Sequence, residues 1–433
     1  MFFFRIEYIR VVHYIKNEIM KTKLLLILTV LFFTLQSCTN DDSDYTLVNV
    51  VTPEYMTLDV FRSSVKITSP VPITESGKIY AYQNLIFVSD IGAGIHVIDN
   101  SNPKNPNKVA FIKVKANIDM EVKNNYLYVD SLMDLVVFDI SDIGNIKEVS
   151  RLEDVFPAYA IMPFFEDMIV DYNGRNPKST EIIVGWTVTL ERRRIDEIQY
   201  ANTRFIDVLA LASADASVGQ AGSLARFKIV NDYLYAVDSH NINIFKITDL
   251  DEPQQLDPFY AGFDIETIFN RDHHLFLGSM RGMYIYDIAT PETPELISEF
   301  QHGTACDPVV VDDNYAYITL RAGNNCGALD SSLQIVDISD LNHPKLKKSY
   351  AMDNPYGLGI KDDLLFICDG ESGLKVYNKQ DVENLELINH FNKINTFDVI
   401  PLQESLLMIG KDVLYQYKYN NEGISLLSEF SLH

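Results

Sequence analysis

Aspartate closes a series of short apolar runs, at Asp90, Asp130, Asp238 and Asp369, with Asp171 in a comparable place. A ring of carboxylates on one face could bind a divalent cation, because hard cations take several oxygen ligands. The competing reading is that each aspartate opens the next turn, bonding the local backbone; no compact Asp-x-Asp-x-Asp loop of the calcium type is present. The nine histidines show no metal spacing, and His273-His274 reads as a solvated pair in a hairpin turn. There is no His-Glu-x-x-His, paired Cys-x-x-Cys, Gly-x-Ser-x-Gly elbow, phosphate-cradling glycine loop or dinucleotide fingerprint. These patterns assign no catalytic, metal or cofactor residue. What remains is recognition: Trp186, the single tryptophan, with Arg192, Arg193, Arg194, Arg281 and Arg321 in an otherwise acidic chain. Arginine and tryptophan are favoured at recognition hot spots. Equally, the arginines could neutralise neighbouring carboxylates and Trp186 could fill a gap between elements.

The elements that must position these residues repeat. A five-residue apolar motif recurs eight times, ending at Asp99, Asp139, Gly185, Lys246, Asp287, Asp337, Asn378 and Lys418. The spacing is mostly about 40 to 45 residues, the period of a four-stranded propeller blade rather than of a helical hairpin. Ahead of the motif stand polar turns, Asn124-Asn125, Asn231-Asp232, Asp313-Asn314 and Asp362-Asp363, flanked by alternating apolar residues. Asn and Asp tolerate the positive φ of tight hairpins. After it comes a second turn closed by Pro106, Pro253, Pro294 or Pro344, and then a fourth strand, as at Glu295 to Gln301 and Leu385 to Phe391. The motif is almost wholly apolar, as a strand covered on both faces must be.

Four strands per unit and no helical pattern between them predict an all-β fold, a single β-propeller of four-stranded antiparallel blades with eight blades, or seven if the third unit is excluded. That unit, with strands at Tyr159 to Phe164, Met168 to Tyr172 and Glu181 to Val188, is the weakest copy. The next anchor lies 61 residues on, and the excess falls in an insertion at about 189–222. It holds the three arginines and a tract rich in Ala, Ser and Gly, and long insertions in repeat arrays usually map to one face.

The first 37 residues carry a basic start at Met20, Lys21 and Lys23, an apolar run from Leu24 to Leu35, and small residues before Cys38. The run is shorter than the ~20 residues that span a bilayer, so it reads as a removed signal. It resembles a bacterial lipoprotein signal, with Gln36 departing from the commonest lipobox; residues 1–19 would then be a mis-start, Cys38 the lipidated residue, and 38–54 a flexible acidic tether to a body at 55–433. Tyr55 through Pro70 could add an edge strand. The chain's net charge is −24; without residues 1–37 it has 31 basic against 58 acidic residues, or −27. An acidic body repels phosphate backbones, which argues against nucleic acid as a partner.

Leu333 to Asp340, Leu-Gln-Ile-Val-Asp-Ile-Ser-Asp, resembles the repeat of the LVIVD family of bacterial β-propellers, and Leu135 to Asp142 and Ile95 to Asn102 match nearly as well. With the lipobox, Ala305 to Pro308 and Cys326, the chain is similar to lipoproteins of Bacteroidetes over about Gly77 to His433. The resemblance implies a fold and an outer-membrane or other envelope location, facing the periplasm or the surface; it carries no reaction, ligand or catalytic residue. In an oxidising envelope Cys306 and Cys326, expected on one propeller face, could form a disulfide, closing a loop of about 20 residues worth roughly 3 kcal/mol. Cys368, in Leu365-Phe366-Ile367-Cys368, has the setting of an inert buried thiol. The expected function is a non-enzymatic, lipid-anchored platform binding an unidentified protein or glycan. The alternatives are a polysaccharide hydrolase or lyase with residues in the central funnel, and a scaffold subunit of an outer-membrane assembly.

Overall fold

The computed structural model describes residues 45–158, 162, 168–172, 180–195, 223–302, 308–322 and 330–433. Cys38, Cys306, Cys326, residues 1–37 and the Ala/Ser/Gly-rich tract lie outside them. The chain divides into two compact units, Met1–Asn49 with Leu190–Asp207, and Val50–Thr189 with Val208–His433.

The described residues form eight antiparallel sheets, as many as there are copies of the motif. Seven are blades of four consecutive strands, taken here as blades one to seven, with inner strands Ser76–Tyr82, Met120–Lys123, Phe227–Val230, Ile265–Arg271, Val309–Val311, Leu358–Lys361 and Asp398–Pro401. Each inner strand touches the next, and Ser76–Tyr82 touches Asp398–Pro401, so the ring closes on seven members. The eighth sheet contains the weakest copy of the motif and has three strands, Met168–Val170, Tyr45–Thr57 and Glu181–Arg194. Its middle strand takes up most of the stretch assigned to the tether. Val48, Val50 and Val51 are buried there, and β-branched residues in alternation favour a strand over a solvated linker.

One hydrophobic cluster lies between each neighbouring pair of blades around the ring. This accounts for the motif. In blade five Leu333 and Ile335 pack toward blade six, while Val336 and Ile338 pack toward blade four. Successive side chains of a strand point to opposite faces, so a strand between two neighbours needs apolar residues at consecutive positions. Leu333, Ile335 and Val336 are fully buried, each worth about 1.5–3 kcal/mol.

The residue ending the motif has a local role. Asp99, Asp139, Asp287, Asp337 and Asn378 each accept a hydrogen bond from the amide two residues on, at 2.6–3.0 Å. This Asx turn leads the chain out of the third strand. The inner hairpins use the left-handed backbone expected of Asn and Asp, at Asn124, Asn125, Asn231 and Asp362.

The ring closes without blade one borrowing a strand from the C-terminus. The Ile73 amide donates to the Leu432 carbonyl at 3.2 Å, and Gln416 exchanges amide hydrogen bonds with Asn100 at 2.7 and 3.1 Å. Lys66–Thr68 pairs with the outer strand of blade one as a fifth strand, supplying the edge strand expected between Tyr55 and Pro70. Cys368 is buried and free, and burial holds its thiol well above the usual range.

Candidate functional site

The aspartates ending the second strands do not form an open carboxylate ring. In three blades they secure the connector that brings the chain back to the axis. Asp90 accepts from the amides of Thr74 and Glu75, Asp130 from Ile118 and Asp119, and Asp369 from Asp353 and Asn354, at 2.7–3.3 Å. Each pair of amides lies just before an inner strand, so each carboxylate satisfies two donors that no ladder reaches. Asp238 instead accepts from His240 and Asn241 within its own turn. Burial raises the pKa of Asp130 to about 6 despite its amide partners. In Asp90 burial also pushes upward, but His96 and the two amides outweigh it and the pKa falls.

The axis itself is occupied by the chain. Leu358 of blade six donates to Ser223 Oγ at 2.8 Å, and Lys78 of blade one donates to the Leu224 carbonyl at 3.1 Å. Ile268 of blade four donates to the Ala225 carbonyl at 2.7 Å, and the amides of Arg226 and Phe227 donate to Asp119, which precedes the inner strand of blade two. One tetrapeptide can reach blades one, two, four and six of a seven-membered ring only along its axis. Ser223 to Arg226 therefore lies across the axis, near the ends at which the inner strands begin.

Beneath this segment lies a buried ionic cluster. Lys78 and Asp119 are 2.8 Å apart with side chains 3% and 1% exposed. Burial lowers the lysine pKa, opposed by Asp119. Glu121 meets Lys228 at 3.3 Å, and burial raises its pKa. Asp398 is fully buried against Gly357, and neither of its oxygens has a hydrogen-bond partner among the described residues. Burial pushes its pKa upward, opposed by the charge of Lys78. Asp119 and Glu121 near the axis are thus paired with lysines, and Asp119 also accepts from backbone amides.

The face carrying the turns between second and third strands presents a different surface. Tyr260, in the two-residue strand Phe259–Tyr260 paired with the third strand of blade three, and Phe263, in the connector that follows to blade four, are 54% and 53% exposed. Their rings meet edge to face at 5.9 Å, with His240 at 5.6 Å from Phe263 and the Arg281 guanidinium 5.9 Å from the same ring. The connector is pinned on both sides. Ala261 donates to the His240 carbonyl, Ile265 to Ser239, and Met280 to Asp264. The two rings therefore stand on a fixed loop. Farther round, Arg321 lies 4.1 Å over the Tyr356 ring.

Of the residues singled out for recognition, Arg281 and Arg321 lie on this face beside aromatic rings. Trp186 is half-buried on the strand Glu181–Arg194 of the eighth sheet, edge to face with Tyr172 at 6.4 Å. That strand packs through Ile182 and Val184 on Leu132 and Met133, in the corresponding turn of blade two. Arg192, Arg193 and Arg194 belong to the smaller unit. There Arg192 covers the Tyr45 ring at 4.9 Å and Arg193 pairs with Glu191 at 2.9 Å. Tyr260, Phe263 and the axial cluster were not singled out from sequence. The available signal was Tyr-Ala-Gly-Phe, an aromatic pair around a glycine in a connector where polar residues are usual.

Among the described residues no helix is long and apolar enough to cross a membrane. The LVIVD repeat model matches residues 75–111, 117–154 and 302–352, segments that coincide with blades one, two and five. No curated protein matches the sequence. Solved structures similar to the chain include the computationally designed Ika8 protein, at 10% identity and TM-score 0.49 over 84% of this chain and 89% of that one. Hsv2 of Kluyvelomyces marxianus is similar at 10% identity and TM-score 0.46 over 84% and 100%. BamB of Moraxella catarrhalis is similar at 10% identity and TM-score 0.46 over 85% and 91%. The chain carries LVIVD repeats in blades one, two and five and folds as a closed ring of blades, a β-propeller.

Proposed function

We propose that this protein is a non-enzymatic envelope lipoprotein, anchored through Cys38, whose propeller is a binding platform for a protein or glycan. The observation that carries this reading is the exposed Tyr260–Phe263 pair beside Arg281 on a pinned connector. Exposed rings on a rigid loop offer apolar area at low ordering cost, and an adjacent guanidinium adds directional donors. The axis supports binding over hydrolysis. Ser223 to Arg226 lies across the axis, and Asp119 and Glu121 beside it are engaged by that segment, Lys78 and Lys228.

The test is a glycan array together with a pull-down from envelope extract, run with the native protein and with Tyr260→Ala/Phe263→Ala. We expect the double variant, folded by circular dichroism, to lose at least tenfold in affinity for the captured partner. Equal binding by both proteins would refute this site. Cys38→Ser is expected to move the protein from the membrane to the soluble fraction; retention at the membrane would refute the anchor.

A further inference from the structure

The turn between the inner and second strands of blade four brings together groups that lie far apart in sequence. We propose that His273, His274 and Asp287 form a binding site for a divalent transition-metal ion with an open coordination position. One potential ligand atom from each lies within 4.8 Å of the other two. The arrangement follows from the fold. Asp272 takes a positive φ in the turn, which places His273 at its tip and His274 at the head of the second strand. His274 pairs in register with Asp287 on the third strand, and the Ile288 amide donates to the His273 carbonyl at 2.8 Å. Three elements thus hold the three side chains.

The chemistry of the donors fits. Imidazole with a carboxylate suits zinc, copper or nickel rather than calcium or magnesium. His274 Nδ1 is buried and has no hydrogen-bond partner, an unfavourable state that a metal would relieve. The two imidazole rings are 4.4 Å apart at their centroids. Asp287 is oriented by the Ala289 amide on Oδ1 at 2.6 Å, leaving Oδ2 for an ion, an outer contact of the kind that steadies metal ligands. Arg271, paired with Asp272 at 3.9 Å, is the cation beside the site. His273 is exposed at the turn tip; a tetrahedral ion with bonds of about 2.0–2.1 Å needs its ligand atoms ~3.3–3.5 Å apart, so binding requires the three side chains to draw together. Three protein ligands leave the fourth position to water or to a donor group of a partner.

The test is titration of the purified protein with Zn2+ by calorimetry at pH 7.5, and with Co2+ by visible absorption. One equivalent is expected to bind with tetrahedral Co2+ bands. His273→Ala, at the exposed turn tip, and Asp287→Asn, which keeps its turn hydrogen bond, should each weaken that equivalent at least tenfold and remove the bands. His343→Ala should leave it unchanged, although His343 also meets a carboxylate, Asp340, at 2.8 Å. Native stoichiometry and affinity in both the His273 and Asp287 variants, or loss of the equivalent in the His343 variant, would overturn the proposal.

Discussion

Replacing Asp369 by alanine tests whether the buried aspartates secure the ring. Asp369 is fully buried; it accepts from Asn354 at 2.7 Å and Asp353 at 3.2–3.3 Å, and it pairs with Lys375. Removing it strands two amides and deprives Lys375 of its buried partner, leaving only Asp353 at 3.1 Å. Hydrogen bonds to a charged acceptor contribute about 1.5–3 kcal/mol each, and partial hydration of the connector reduces the sum, so Asp369→Ala should cost about 3–5 kcal/mol. An unfolding entropy of about 2.1 cal/mol/K per residue over roughly 380 residues makes 1 kcal/mol about 1.3 °C, so the expected fall in Tm is about 4–6 °C. Asp369→Asn keeps an acceptor for one amide and should lose about half as much. Asp381, exposed and bonded to the Glu383 amide at 3.0 Å, is the control; its alanine variant should lose about 0.5–1 kcal/mol. Calorimetric scans of the four proteins at pH 7 provide the measurement. A Tm for Asp369→Ala within 1 °C of the native value, or equal to that of Asp381→Ala, would refute the role assigned to the carboxylate.

Gly373 immediately precedes the third strand of blade six, Leu374–Asn378, at φ +85°, where an added Cβ would lie 1.9 Å from the Phe391 carbonyl oxygen. Gly373→Ala should therefore cost about 2–4 kcal/mol, and Gly92→Ala, at φ +71° with open space around it, about 1–2 kcal/mol; denaturant midpoints in which the two costs are equal would refute the steric account. The pKa of Asp90 is lowered in the fold, so its contribution is fully present above the unfolded value of about 4 and is lost as pH falls through the folded value. The decline in Tm between pH 5 and pH 3 should accordingly be shallower in Asp90→Asn, and an unchanged slope would exclude Asp90 as a source of acid sensitivity.

Much of the architecture is legible in single segments. The motif from Leu333 to Asp337 discloses a strand buried on both faces, because burial on two sides removes the polar alternation of an ordinary surface strand. The Asx turn after Asp337 and the positive φ at Asn124 and Asn231 are also local, since a side chain and its own backbone suffice to make them. The strand Tyr45–Thr57 shows the limit. Its neighbours, Met168–Val170 and Glu181–Arg194, lie more than a hundred residues away, and an apolar stretch beside an acidic one does not reveal its distant partners. The candidate sites show it more sharply. Arg281 stood out by residue type, but Tyr260 and Phe263 became informative only once the turns at His240 and Met280 pinned their connector outward.

The kind of element, its period and the apolar face each strand buries follow from alternation and turn chemistry within a few residues, and so are written along the chain. The closing of the ring by seven inner strands, the passage of Ser223 to Arg226 across its axis and the placing of Asp287 beside His273 and His274 emerge only on folding. Each of those facts depends on which distant segments share space once the interblade faces are buried, and loop connections permit many pairings that one-dimensional spacing cannot distinguish.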